Sequence, residues 1–170
     1  MAGLALIILD GQIDLGAGWI DRSLALNSNS ADAWVSSGMC QNYRADYSTA
    51  IEHFDRAQRL NPLDTLHHFR WNLAGMSYFG AGRYDEAYAA AGKCLSAGPT
   101  YPQALFLKLA TCGQLGRAEE AAATLTRLLA VHPGCTLTWA SEYFGPMFHP
   151  RNPDFVARYI EGARRAGLPE

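Results

Sequence analysis

Lysine is nearly missing from this chain. Only Lys93 and Lys108 stand among fourteen basic residues, the others being arginine, a usage that points to a GC-rich bacterial genome. Charge of one sign is lacking too: sixteen acidic residues leave a formal net charge of −2. Such a balance gives no electrostatic ground for nucleic acid as a general partner. No apolar run approaches the roughly 20 residues that a membrane-spanning helix needs. The apolar stretch Leu4 to Leu9 has no basic residue before it, which a secretory leader requires. Cysteine pairs are absent as well. Cys40, Cys94, Cys112 and Cys135 form no Cys-x-x-Cys motif, so the usual zinc spacing is excluded. Reduced, packed thiols fit a cytoplasmic setting.

The residues of common catalytic motifs are present without their geometry. Gly16-Ala17-Gly18 does not follow a strand, so a phosphate-cradling loop is not expected. Asp85-Glu86 and Glu119-Glu120 suit the electropositive start of a helix better than paired-carboxylate chemistry. His67 and His68 diverge on a helix and chelate poorly. His149, in a proline-rich loop, has no evident partner. The sequence therefore predicts a non-catalytic chain with no metal and no cofactor.

What the sequence does contain is a repeat. Trp71-x-x-Ala74-Gly75-x-x-Tyr78 is followed by Gly82-Arg83-Tyr84, by Ala87 and by Pro99. The small Gly75 and Ala87 let two helices cross closely, and Trp71, Tyr78 and Tyr84 fill the space around them. Gly82 ends the first helix in a left-handed conformation, and Pro99 stops the second. A unit starting at Pro102 gives Leu105, Gly116-Arg117, Ala121, Leu125, Leu128 and Pro133 in phase. A unit starting at Ala31 gives Trp34, Gly38, Tyr47, Ala50, Phe54, Ala57 and Pro62. About three residues beyond the period are inserted near Asp64 to His67.

This pattern resembles the tetratricopeptide (TPR) repeat, nearly position for position. The resemblance implies an all-α, right-handed superhelical solenoid of about three and a half helix–turn–helix units. The units are 31–64, 68–101 and 102–134, with a partial repeat over 1–28 and a C-terminal cap over 135–170. Gly11 falls where Gly82 and Gly116 fall. Residues 2–10 are then expected to end a first helix, with residues 13–26 as its partner, and the chain reads as a piece of a longer protein. Ser30 is a good cap for the helix from Ala31 to Arg44, and Asp64-Thr65 for the next but one. Beyond Gly134 the repeat decays. A helix can begin over Thr136 to Tyr143, Gly145-Pro146 and the His149–Pro153 stretch are expected to break it, and a last amphipathic helix spans about Asp154 to Ala166.

The resemblance also implies where a partner would bind. First helices line the concave face of such arrays, chiefly at positions two, five, nine and twelve. Here those are Asp32, Val35, Met39 and Asn42; Phe69, Asn72, Met76 and Phe79; and Gln103, Phe106, Ala110 and Gly113. The strip is apolar, with methionine that adapts to varied partners, and suits an amphipathic helix or an extended peptide unless the C-terminal helix or a neighbouring domain covers it. The places that hold cations in carboxylate-gripping members carry Val35, Met39, Leu73, Gln103 and Leu107, so acidic chaperone tails are not expected ligands. A second resemblance is carried by Ile51-Glu-His-Phe54-Asp-Arg56-Ala57, by Arg59-Leu60-Asn61-Pro62-Leu63-Asp64 and by the ending Arg165-Ala166-Gly167-Leu168-Pro169-Glu170. These segments are similar to TPR regions attached C-terminally to bacterial class III adenylate or guanylate cyclases and to winged-helix regulators. They imply a protein-binding scaffold regulating an upstream effector. The alternative is a self-associating (homo-oligomerising) module, such as a homodimer, that pairs through the exposed apolar end of the N-terminal half-repeat.

Overall fold

Second helices in this chain start two residues after a left-handed backbone position. Ala45 (φ 61°), Gly82 (φ 74°) and Gly116 (φ 67°) precede helices that begin at Tyr47, Tyr84 and Ala118. A computed structural model describes residues 13–62, 67–148 and 152–170. Its helices are α1 (Ile13–Leu26), α2 (Ala31–Tyr43), α3 (Tyr47–Leu60), α4 (His67–Gly80), α5 (Tyr84–Ala97), α6 (Pro102–Leu115), α7 (Ala118–Val131), α8 (Leu137–Phe148) and α9 (Pro153–Arg165). No strand occurs among the described residues. The antiparallel pairs α2–α3, α4–α5 and α6–α7 stack in order into a helical solenoid. The expected helix over residues 2–10 and the cap at Asp64-Thr65 lie outside the described residues.

Local chemistry sets the helix ends. The Ser30 hydroxyl accepts a hydrogen bond from the Ala33 amide at 3.2 Å, and the Asp46 carboxylate accepts one from the Thr49 amide at 3.2 Å. Each satisfies a donor the first turn would leave orphaned. Pro102 and Pro153 occupy the first turn of α6 and α9, where a missing N–H costs nothing. At Gly75 a β-carbon would lie 2.6 Å from a Leu107 methyl and 3.3 Å from the Ala90 β-carbon, so the predicted need for a small residue there is met. Ala87 is fully buried opposite.

One feature departs from the sequence reading. Helix α8 does not stop at Gly145-Pro146 but runs on to Phe148. A proline in the last turn forfeits one amide donor, and the carbonyl it abandons belongs to Glu142, a water-exposed residue. The last helix closes the array by turning back along α6, with α8 on its other flank. Asn152, whose amide donates to the Tyr47 hydroxyl, holds the entry to α9. The Leu137 amide, donating to the Pro169 carbonyl at 2.8 Å, holds its exit.

Ala45 is the one non-glycine residue with positive φ among the described residues. A side chain there costs roughly 1–2 kcal/mol, part of which a glycine returns as unfolded-chain entropy. Ala45→Gly is therefore expected to stabilise the fold by about 0.5–1 kcal/mol, measured as a shift in urea midpoint. A destabilised variant would show that the Ala45 methyl is held by packing.

Candidate functional site

The concave face divides into two halves. In the N-terminal half, Val35, Met39 and Phe69 are half-buried and pack together on a small core of Ala50, Phe54, Leu73 and Ala74. Met76, also half-buried, leans on the main core beside them. Helices α2 and α4 present these residues because both run along the inside of the superhelix. One rim is set by Arg70, whose side chain is buried and whose guanidinium reaches the exposed Asp32 carboxylate at 3.0 Å.

The C-terminal half is occupied by the chain itself. Phe79 and Phe106, both predicted to face a partner, are 0% and 1% exposed, and Ala110 is sealed. Their cover is α9. Tyr159 places its ring 5.0 Å from Phe79 and 4.9 Å from Phe106, and Phe155 stands 5.7 Å from Phe79. The two helices meet backbone to backbone. A β-carbon added to Gly113 would fall 1.8 Å from the Gly162 carbonyl oxygen, and one added to Gly162 would fall 2.3 Å from that of Ala110. Arg158 donates to the Gly80 carbonyl at 2.9 Å, and Gln114 donates to the Arg158 carbonyl at 2.6 Å. These bonds tie α9 to the ends of α4 and α6.

Two amides of the expected strip are also structural. Asn42 is buried and accepts a hydrogen bond from the Ser77 hydroxyl at 2.8 Å; it braces α2 against α4 and does not look into the groove. Asn72 is 3% exposed, with its nitrogen 3.9 Å from the Met76 sulfur. Gln103 is half-buried and borders a cleft of about 210 Å³ between α6, α7 and α8, with Phe106, His132, Trp139, Tyr143 and Phe144 on its walls. Val35, Met39, Phe69, Met76 and Gln103 therefore stay accessible, with the exposed Asp32 at the rim. Asn42, Asn72, Phe79, Phe106 and Ala110 are withdrawn by helix packing. Sequence reasoning missed the Asp32–Arg70 pair, whose one signal is opposite charges on successive first helices.

The four cysteines are free and buried. Burial pushes the Cys94 and Cys135 thiols up to about 11 and raises those of Cys40 and Cys112. All four are protonated at neutral pH, and a thiol in that form is a poor nucleophile and ligand. The side chains of His67 and His68, and the whole of His149, lie outside the described residues. No described helix is long and apolar enough to cross a membrane.

Comparisons agree with this geometry. The tetratricopeptide repeat family model matches residues 78–141. A peroxisomal targeting signal receptor of Saccharomyces cerevisiae is 31% identical over 87 residues, 51% of this chain and 14% of the receptor. The chain thus spans about a seventh of that relative's length. Among solved structures, MamA superposes with a TM-score of 0.68 at 17% identity, over 92% of this chain and 90% of that one. YrrB, described as a TPR protein with an unusual peptide-binding site, gives 0.66 at 15% identity, over 96% and 86%. A thermophilic TPR protein of Thermus thermophilus gives 0.63 at 19% identity, over 97% and 88%. At such identities the structural likeness speaks for the fold.

Proposed function

Residues 78–141 carry tetratricopeptide repeats within a solenoid of the same kind, and on that premise we propose a non-catalytic protein-interaction scaffold that recognises its partner through the open N-terminal half of the concave groove. The observation that carries this reading is α9. The chain's own amphipathic helix lies in the C-terminal half, its aromatic residues one turn apart, so the groove is built to accept a helix. Val35, Met39, Phe69 and Met76 continue that apolar floor. The names of the yeast receptor and of YrrB, one a targeting-signal receptor and the other bearing a peptide-binding site, support a peptide ligand. The resemblance of Ile51–Asp64 and Arg165–Glu170 supports a cytoplasmic bacterial setting, as the C-terminal regulatory part of a nucleotide cyclase or transcriptional regulator.

A displayed library of amphipathic helical peptides tests the groove. Peptides selected on the parent chain are expected to lose at least about tenfold in affinity for a Met39→Glu, Met76→Glu variant, because a carboxylate set into an apolar contact goes unpaired. Circular dichroism establishes that the variant is folded. Undiminished binding by a folded variant would move recognition off this surface. A second reading, self-association, is favoured by α1, where Leu15 and Trp19 are each 52% exposed and Leu26 is 82% exposed.

A further inference from the structure

The cleft between α6, α7 and α8 lies outside the open half of the groove, and its walls carry different chemistry. Its volume is about 210 Å³, below the roughly 300–1,000 Å³ of pockets that enclose drug-sized molecules. It has room for one small head group or one side chain. The rings of Phe106, His132, Trp139, Tyr143 and Phe144 line it. Phe106 and Phe144 lie deepest, 1% and 3% exposed, with centroids 5.0 Å apart. Trp139 and Tyr143 stack within 11° of parallel at 5.0 Å, and the His132 ring meets Trp139 at 4.4 Å. Trp139 stands in the first turn of α8 and Tyr143 in the second, so the cleft opens at the end of that helix remote from Phe148.

The polar features of the walls point to the charge of a ligand. The side-chain oxygen of Gln103 is buried and accepts no hydrogen bond. Helix α7 ends at the cleft with His132 as its C-cap and no basic residue in its last turn, so the negative pole of its dipole is unanswered. Helix α6, which starts opposite, opens on Pro102, a residue that brings no N–H to its positive pole. Elsewhere the chain lays its own cations over the tryptophans that hold this place in the repeat. Arg56 lies over the Trp34 ring at 4.8 Å, and Lys93 over the Trp71 ring at 4.1 Å. Trp139 is the matching tryptophan of the next unit, and among the described residues no cation covers it.

Rings, a free acceptor and a negative helix end all favour a cation. The kind of cation follows from a further feature: among the described residues, no carboxylate lines the cleft. A primary ammonium brings three N–H donors and a guanidinium five. Donors taken from water without partners cost free energy. A tertiary ammonium brings one N–H and a quaternary ammonium none. We propose that the cleft binds a methylated ammonium group, held among the rings of Phe106, Trp139, Tyr143 and Phe144, with the Gln103 oxygen accepting from the single N–H of a tertiary form. Two sources share that chemistry, the dimethylated lysine side chain of a protein and a free choline-like solute.

Titration of the isotopically labelled full chain, followed at the indole N–H resonances, tests this. The chain has four tryptophans, so Trp19, Trp34 and Trp71 serve as internal controls. The probes are choline, the neutral tert-butyl analogue of choline, end-blocked dimethyl-lysine and end-blocked lysine. Choline and dimethyl-lysine are expected to move the Trp139 resonance saturably, with Kd on the order of 1 mM. The neutral analogue and unmethylated lysine are expected to bind at least about tenfold more weakly. Gln103→Leu removes an oxygen that has no partner; it is expected to weaken dimethyl-lysine about tenfold and leave choline unchanged. Tyr143→Leu, at a position 40% exposed, is expected to weaken both while Trp139 still reports, with circular dichroism establishing that each variant is folded. Tighter binding of dimethyl-lysine identifies a protein side chain as the source, and tighter binding of choline a free solute. Equal binding of choline and its neutral analogue makes the cleft an apolar site and overturns the proposal. So does a Trp139 resonance that neither methylated cation moves at about 20 mM, well above the expected Kd. The Met39→Glu, Met76→Glu variant is expected to bind these probes as the parent does, so failure here leaves the groove reading standing.

Discussion

Gly113→Ala is expected to unseat α9. The added methyl would lie 1.8 Å from the Gly162 carbonyl oxygen, and neither side of that contact is a side chain that can rotate away. Overpacking usually costs about 1–3 kcal/mol when neighbouring side chains can shift. Here relief requires the helix to lift, and lifting it returns Phe155, Tyr159 and Ile160 to water at about 1.5–3 kcal/mol for each fully buried side chain. A loss of about 3 kcal/mol, or roughly 6–12 °C in Tm for a chain of this size, is the expected measurement. Near-UV circular dichroism should lose its aromatic signal while the far-UV helical signal largely persists. A Tm within about a degree of the parent's would show that α6 and α9 do not approach so closely in solution.

Tyr159→Ala is the second large effect. The ring sits amid Phe79, Phe106, Phe144 and Phe155, with centroids 5.0, 4.9, 5.1 and 5.3 Å away, and it is 1% exposed. Deleting it removes contacts with four rings on four helices and leaves a cavity that no single side chain can fill. The expected cost is about 3–5 kcal/mol by urea denaturation. The hydroxyl makes no hydrogen bond among the described residues, and burial pushes its phenol well above the usual tyrosine range. Tyr159→Phe is therefore expected to cost less than about 1 kcal/mol, because it removes no hydrogen bond. Similar losses for the two variants would place the contribution in the hydroxyl and not in the ring.

The repeat was legible because its chemistry is local. A glycine before α1, α5 and α7, a small residue at each crossing and a proline after each unit act within a few residues of one another. The bounds Ile13–Leu26 accordingly came out as the pattern predicts. Ala45 shows the limit of reading by residue type: the backbone is left-handed there without glycine, and only its phase relative to Tyr47 reveals it. The groove was less legible. Phe79, Phe106 and Ala110 hold concave positions in their repeats, yet a helix more than forty residues further along the chain covers them. Periodicity places a side chain on a face; it does not say what comes to lie on that face. The signal that could have found the cover was Gly162 in the middle of an amphipathic helix, opposite Gly113 at a groove position: two glycines where neither turn nor cap calls for one, a mark of close backbone approach.

The path of α9 also changes how the molecule bears load. A stack in which each unit touches only its neighbours behaves as a spring, able to stretch or fray from either end. Here a rod is laid across the coils, fastened at Tyr47 through Asn152, at Gly80 through Arg158, at Gln114 midway and at Leu137 beyond its exit. Units two and three are splinted together and must open as one body. Compliance is left to α1, α2 and the part of α3 beyond Tyr47, so the end of the superhelix that carries much of the accessible apolar floor is also the end that can bend to fit what it holds.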